Sequence, residues 1–310
     1  MTKIGTTSLD VFPLCLGGNV FGWTADEKHS FAVLDAYAAA GGNFVDTADA
    51  YSAWVPGHAG GESETILGRW MAARGNRDRM IIATKVGKFP GLGGLAAATI
   101  RAAAEGSLRR LQTDRVDLYY AHADDAATPL EETLGAFDAL VREGKVRFIA
   151  ASNYSAPRLS EALAVSKRRG LARYVALQPH YNLVHRTEYE DGLAAFCTRE
   201  GLACFPYYAL ASGFLAGKYR PGAKVESARA AGAGKYVDEK GLRILAALDT
   251  IAAERETTVA AVSLAWLRSR PAVVAPIASA RTPEQLAELL PFAALRLSDE
   301  EERRLNDASA

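Results

Sequence analysis

Four polar residues stand at or just past the ends of short apolar runs: Asp46 and Tyr51 after Asn43-Phe44-Val45, Lys85 closing Met80–Lys85, and His122 closing Val116–His122. An acid, a phenol, an amine and an imidazole gathered together suit proton transfer to or from an oxygen. Polar groups at successive strand ends converge on one face of an α/β sheet or barrel, and that face is where such folds place their chemistry. Taken singly, each has a plainer role. A strand-end aspartate often caps or turns the chain, a loop tyrosine packs, and a histidine after an apolar run is often a satisfied core group. Lys85 is the exception, because a lysine ending an apolar run is rare without a charged partner.

Positioning these four requires a repeated unit, and the chain supplies one. Short apolar runs alternate with amphipathic stretches throughout. Strands are expected at about 13–17, ending at Asp46, ending at Lys85, ending at His122, and over Val146–Ala151, Tyr174–Gln178, Ala203–Tyr207 and Val273–Ile277. Between them lie helical stretches at about 26–40, 62–74, 98–111, from Thr128 to Gly144, from about Pro157, at about 189–200, 238–255 and 258–269, and from Thr282. Thr24-Ala25-Asp26-Glu27, Thr128-Pro129-Leu130-Glu131, Thr282-Pro283-Glu284-Gln285 and Ser298-Asp299-Glu300-Glu301 read as helix caps. Eight strand–helix pairs in strict alternation predict a parallel sheet closed as a (β/α)8 TIM barrel. Ile4–Phe12 is expected to form a short N-terminal hairpin across the barrel bottom, and a C-terminal helix to follow the last unit. No linker interrupts residues 1–310, which predicts a single domain. The long irregular stretches at about 47–61, 86–97 and 209–237 all follow strands, so they belong to the same face as the four polar residues.

Composition narrows the function classes. Of 310 residues, 49% are hydrophobic and 23% charged, an ordinary globular balance. Lys+Arg and Asp+Glu number 36 each, so a general basic footprint for nucleic acid or anionic membrane is absent. The three cysteines, Cys15, Cys197 and Cys204, show no Cys-x-x-Cys spacing and sit in apolar runs, which argues for inert core thiols over disulfides or zinc. No apolar stretch approaches the roughly 18 residues of a membrane span. Met1–Gly5 lacks a signal-peptide core, so a cytoplasmic location is expected.

Six motifs in order then suggest a family. Phe44-Val45-Asp46-Thr47-Ala48-Asp49-Ala50-Tyr51, Thr84-Lys85-Val86-Gly87, Leu118-Tyr119-Tyr120-Ala121-His122, Ser152-Asn153-Tyr154, Gln178-Pro179-His180-Tyr181-Asn182 and Gly213–Tyr219 each fall on an expected strand end or its loop. Between about residues 9 and 290 the chain resembles the aldo-keto reductase superfamily. That resemblance implies an oxidoreductase reducing an aldehyde or ketone to an alcohol, with hydride from NADP (NADPH) in preference to NAD and no metal. Two alternatives stay open: a sugar or secondary-alcohol dehydrogenase working oxidatively, and a cofactor-binding regulatory subunit.

The resemblance makes Tyr51 the general acid in reduction and the base in oxidation. A free phenol titrates near pH 10, and Lys85 is expected to lower that value while Asp46 anchors Lys85. His122 would orient the substrate oxygen. Asp49 is the nearest rival for the acid role, but it matches a variable position of the family. For the cofactor, the resemblance implies Ser152, Asn153 and Gln178 on the carboxamide, Tyr207 stacked on the nicotinamide, and Leu210, Gly213 and Leu215 over the pyrophosphate. Ser279, Arg281 and Gln285 would take the far end, where a helix N-terminus and the Arg281 fork suit a 2′-phosphate. The chain departs from the family at Tyr208-Ala209, Ala278, Ser279 and Leu289. Trp23, Trp54 and Phe89, with Phe21 and Tyr181 as further aromatic candidates, are expected to wall a pocket for a small carbonyl or alcohol substrate.

Overall fold

A computed structural model describes residues 1–310. Its strands are β1 (Thr2–Lys3), β2 (Asp10–Val11), β3 (Cys15–Gly17), β4 (Phe44–Asp46), β5 (Ile81–Val86), β6 (Lys88–Phe89), β7 (Leu92–Gly93), β8 (Val116–Ala121), β9 (Val146–Ser152), β10 (Tyr174–Gln178), β11 (Ala203–Cys204) and β12 (Ile277–Ala278). Eight of them form one parallel sheet in the order β11-β10-β9-β8-β5-β4-β3-β12. The two ends meet: Cys204 bridges Val273 in parallel, Val274 N–H donates to Cys204 O at 3.0 Å, and Ile277 N–H donates to Pro206 O at 2.9 Å. The sheet is therefore a (β/α)8 barrel.

The seventh and eighth strands are shorter than their apolar runs. Each run carries a proline, Pro206 or Pro276, with no N–H for the ladder, so regular pairing stops there. The carbonyls still pair, and Pro276 O accepts from Cys15 N–H at 3.0 Å.

The helices are α1 (Glu27–Ala39), α2 (Glu62–Arg74), α3 (Ala97–Leu111), α4 (Leu130–Arg142), α5 (Ala156–Arg169), α6 (Thr187–Glu190), α7 (Leu193–Glu200), α8 (Ala230–Gly234), α9 (Glu239–Glu254), α10 (Val259–Arg268), α11 (Pro283–Leu289) and α12 (Asp299–Ser309). None is long and apolar enough to cross a membrane. Two caps differ from expectation. Asp26, not Thr24, caps α1 by accepting from His29 N–H, and α4 begins after Pro129 because the Thr128 hydroxyl donates to Asp125 instead. Thr282 and Ser298 cap α11 and α12 as expected, the latter with a reciprocal Glu301 bond. The stretch at about 189–200 splits into α6 and α7 at Gly192, whose φ is 108°.

Side-chain alternation divides the core in two. Inside the barrel lie Phe44, Ile81, Ala83, Leu118, Tyr120, Ala150 and Ala176. The antiparallel β1–β2 hairpin adds Ile4, Leu9 and Val11 to that cluster, closing the barrel bottom. The strand residues of opposite parity, such as Val45, Ile82, Tyr119 and Ile149, pack outward against the helices in a larger cluster. Behind the site, the buried Glu64 of α2 accepts from Thr84 Oγ1 at 2.5 Å and from Arg110 Nε at 2.7 Å, tying β5, α2 and α3 together. Gly68 permits this closeness: a Cβ there would lie 2.3 Å from the Arg110 carbonyl.

Candidate active site

The period of two along a strand selects the site. Continuing the inward rows Phe44, Ile81-Ala83, Leu118-Tyr120, Ala150 and Ala176 by one step reaches Asp46, Lys85, His122, Ser152 and Gln178. These five polar residues form the top inward layer, over an apolar barrel interior.

Lys85 is fully buried and donates to three oxygens: Asp46 Oδ2 at 2.6 Å, Thr47 O at 2.7 Å and Tyr51 Oη at 3.0 Å. Burial favours loss of its proton. The carboxylate of Asp46, then Tyr51, outweighs burial and holds the Lys85 pKa above its ordinary value. Tyr51 is placed by the turn Asp46–Tyr51, and its hydroxyl also donates to Asp46 Oδ2 at 3.3 Å. Burial pushes the Tyr51 phenol up to about 12, against the downward pull of Lys85. The expected direction is thus reversed overall: Lys85 lowers the phenol, but desolvation of a phenolate and the Asp46 charge count for more.

His122 faces Tyr51 edge-on, with ring centroids 6.2 Å apart. Burial, then the charges of Lys85 and Lys88, bring its pKa down to about 2, so the imidazole is neutral. Its Nδ1 is buried without a partner.

Around the rim the fifth and sixth strand ends interlock. Asn153, at φ 58°, donates from Nδ2 to His122 O at 2.9 Å and accepts from Tyr207 Oη at 2.8 Å. Ser152 Oγ donates to Gln178 O at 2.9 Å, and Gln178 Nε2 donates to Asp46 Oδ1 at 2.9 Å. Tyr207 stacks on His180 with centroids 5.3 Å apart and planes 21° apart.

A cleft of about 610 Å³ opens above this layer. Asp46, Tyr51 and His122 line its floor; Ser152, Asn153, Gln178 and Tyr207 line one side; Leu210, Gly213, Ser279, Arg281 and Gln285 line its extension toward α11. Gly213, at φ 96°, turns the chain where a side chain would be strained. Trp23 and Trp54 wall the other side, perpendicular to each other with centroids 5.6 Å apart.

Four of the candidate residues do not line this cleft. Phe89 lies outside the cleft, because the β6–β7 hairpin turns it toward the Arg110 guanidinium, 5.5 Å from its ring. Leu215 is buried beneath the loop, its carbonyl accepting from Ser263 Oγ. Phe21 and Tyr181 are core residues, 0% and 1% exposed. Conversely, the cleft recruits residues with no strand-end signature. Lys88, Lys218 and Arg229 bring positive charge, and Asn19 accepts from both Ser279 Oγ at 2.7 Å and Arg229 Nη2 at 3.2 Å. Lys218 belongs to the Gly213–Tyr219 motif; Arg229, in the irregular stretch at about 209–237, carries no local signal.

The donor set suits a dinucleotide. Arg229, Lys218 and Arg281 face the extension against a single carboxylate there, Glu288, and the Tyr219 hydroxyl lining it is buried without a partner. Such a surplus of cations and donors matches phosphate oxygens.

Comparison with known proteins places this geometry in context. The model of the Aldo/keto reductase family matches residues 13–310. An uncharacterized oxidoreductase, YrpG, of Bacillus subtilis (strain 168) is 37% identical over 99% of this chain and 94% of its own. Aldo-keto reductase AMT2 of Alternaria alternata is 34% identical over 98% of this chain and 90% of its own. Norsolorinic acid reductase stcV of Emericella nidulans is 32% identical over 96% of this chain and 78% of its own.

Proposed function

This chain belongs to the aldo/keto reductase family, and on that premise we propose that it is an NADP-dependent oxidoreductase that reduces an aldehyde or ketone to the alcohol. One observation carries the proposal: the Tyr51 hydroxyl sits at the cleft floor, bonded to a buried, paired lysine and facing a neutral histidine.

NADPH would supply the hydride. Ser152, Asn153 and Gln178 would hold its carboxamide, Tyr207 would take the ring, and Lys218, Arg229, Arg281 and the α11 N-terminus would meet its phosphates. The carbonyl oxygen of the substrate would settle between Tyr51 and His122. His122, being neutral, donates an N–H without adding charge. Tyr51 gives its proton to the developing alkoxide, and the Lys85 ammonium at 3.0 Å stabilises the phenolate that remains. Asp46 keeps Lys85 charged and aimed.

The upward-shifted phenol keeps Tyr51 protonated before reduction begins, as a general acid requires. Relatives whose names read "reductase" point to reduction as the working direction. An NADPH-consumption screen over aldehydes, diketones, ketosteroids and sugars tests this, with Tyr51→Phe alongside. Turnover of one of these classes, abolished in Tyr51→Phe, is expected; turnover at the parent rate in that variant would overturn the assignment of the proton donor.

A further inference from the structure

The cleft contains one cation that the proposed chemistry leaves without a task. Lys88 lies in the β6–β7 hairpin, fixed by the pairing of Lys88 with Gly93 and by Gly94 N–H donating to Gly87 O at 3.0 Å. It lines the cleft just past Lys85, and its charge reaches both Lys85 and His122. In the sheet order, β5 is separated from β12 by β4 and β3 and from β11 by β8, β9 and β10. Lys88 therefore stands across the barrel mouth from the Arg281 and Lys218 end, where a cofactor's phosphates would lie.

No acid neutralises it. Burial, then Lys85, lowers its pKa, and no carboxylate counters either effect. The acids that follow His122 along the chain are engaged elsewhere: Asp125 accepts from Leu95 N–H at 2.8 Å and Thr128 Oγ1 at 2.7 Å, and Asp124 pairs with Arg158 at 2.9 Å. Lys88 is exposed at the cleft rim and so is free to meet a ligand, and the Lys85 ammonium adds to the positive potential that favours an anion there.

The wall of the same space is aromatic. Trp54, half exposed, meets Trp23 at 90° and Tyr51 at 64°, with centroids 5.6 and 6.0 Å apart. The Arg229 guanidinium lies 5.6 Å from the Trp23 ring. Perpendicular indoles form a corner that accepts a planar ring on one indole face and its edge on the other.

We propose that the substrate is an aromatic carbonyl compound bearing a carboxylate, with its ring in the Trp23–Trp54 corner, its carbonyl at Tyr51 and His122, and its carboxylate on Lys88. This rests on the carbonyl-reducing reading of the site. Lys88 is then the residue that sets specificity, acting on the far end of the substrate and not on the reacting atoms.

The test compares para-carboxybenzaldehyde with its methyl ester, using the full chain and NADPH. The wild type is expected to favour the carboxylate in kcat/KM by roughly tenfold, as for one charge-assisted hydrogen bond. That preference should shrink as salt rises. Lys88→Gln should bring the ratio to near unity and Lys88→Glu should invert it. A wild-type ratio at or below one, or a ratio unchanged in Lys88→Gln, overturns the proposal. Quenching of tryptophan fluorescence by benzoate gives a separate reading without turnover. Binding that weakens in Lys88→Gln supports the subsite even if neither aldehyde is reduced, in which case the carbonyl-reduction reading fails and not the anion site. Quenching equal in both proteins counts against Lys88.

Discussion

Gln178 donates its amide N–H to Asp46 Oδ1 at 2.9 Å, although 132 positions separate the two residues. The other oxygen of the same carboxylate accepts from Lys85. Asp46 therefore joins Lys85 and Tyr51, the proposed proton-donating pair, to a residue proposed to hold the cofactor. Gln178 is left with its carbonyl oxygen for a carboxamide donor, and its amide is oriented by the bond to Asp46.

That link predicts coupled losses. Asp46→Asn should raise the KM for NADPH as well as lower kcat, and Gln178→Ala should do likewise. A double-mutant cycle on kcat/KM should show a coupling of about 0.5–3 kcal/mol, as for residues sharing one network. Strictly additive effects would mean that the hydrogen bond carries no functional weight.

Tyr51→Phe removes the proposed proton donor and keeps the ring. The expected fall in kcat is about a hundredfold to ten-thousandfold, the usual contribution of a general acid. NADPH affinity, measured by fluorescence titration, should stay within about threefold, since a shift of that size is well under 1 kcal/mol.

Lys85→Met leaves a buried carboxylate without its cation. Breaking such a pair from one side costs about 3–5 kcal/mol, so the unfolding midpoint in urea should drop sharply. Asp46→Asn/Lys85→Met should recover part of that loss, because no unpaired charge remains. Recovery of stability without recovery of activity separates the pair's structural task from its catalytic one.

Arg281→Ala should reduce kcat/KM with NADPH roughly tenfold to a hundredfold, the worth of charged hydrogen bonds to a phosphate. With NADH, which lacks the 2′-phosphate, the change should be small. Equal losses with both cofactors would remove the basis for expecting NADP.

Asp49 predicts a pH dependence of stability. It is fully buried, neither carboxylate oxygen has a hydrogen-bond partner, and burial followed by Glu64 raises its pKa to about 7. Its folded pKa exceeds the unfolded value of about 4, so the folded state holds the proton more tightly. Its contribution is complete below about pH 4 and is lost as pH rises through about 7. Asp49→Asn should flatten that decline and stabilise the protein at about pH 8 by as much as roughly 3–4 kcal/mol. Identical pH profiles for the two proteins in urea unfolding would refute this account.

Much of the fold and part of the site were legible in residue order. Strand-end positions located Asp46, Lys85 and His122, the family resemblance pointed to Ser152 and Gln178, and all five fall on one inward row because strand parity is a local property that survives packing. Capping was less legible at α1 and α4. Thr24 and Asp26 are both competent caps, and only the path of the chain decides which hydroxyl or carboxylate reaches the free N–H. The positions of Phe89 and Leu215 outside the cleft lining were illegible for a similar reason: a loop residue has no period to declare its facing.

The linear pattern alone determined the eightfold strand–helix alternation and the strand-end placement of Asp46, Lys85 and His122, because both follow from spacing along one strand at a time. Tertiary structure alone decided three further matters. It brought Arg229 to Asn19, 210 positions away, it left Lys88 facing the cleft without an acid, and it set the Tyr51 phenol upward when the nearby ammonium would have lowered it. Each depends on distances between segments and on the exclusion of water, and neither quantity is encoded at any single position.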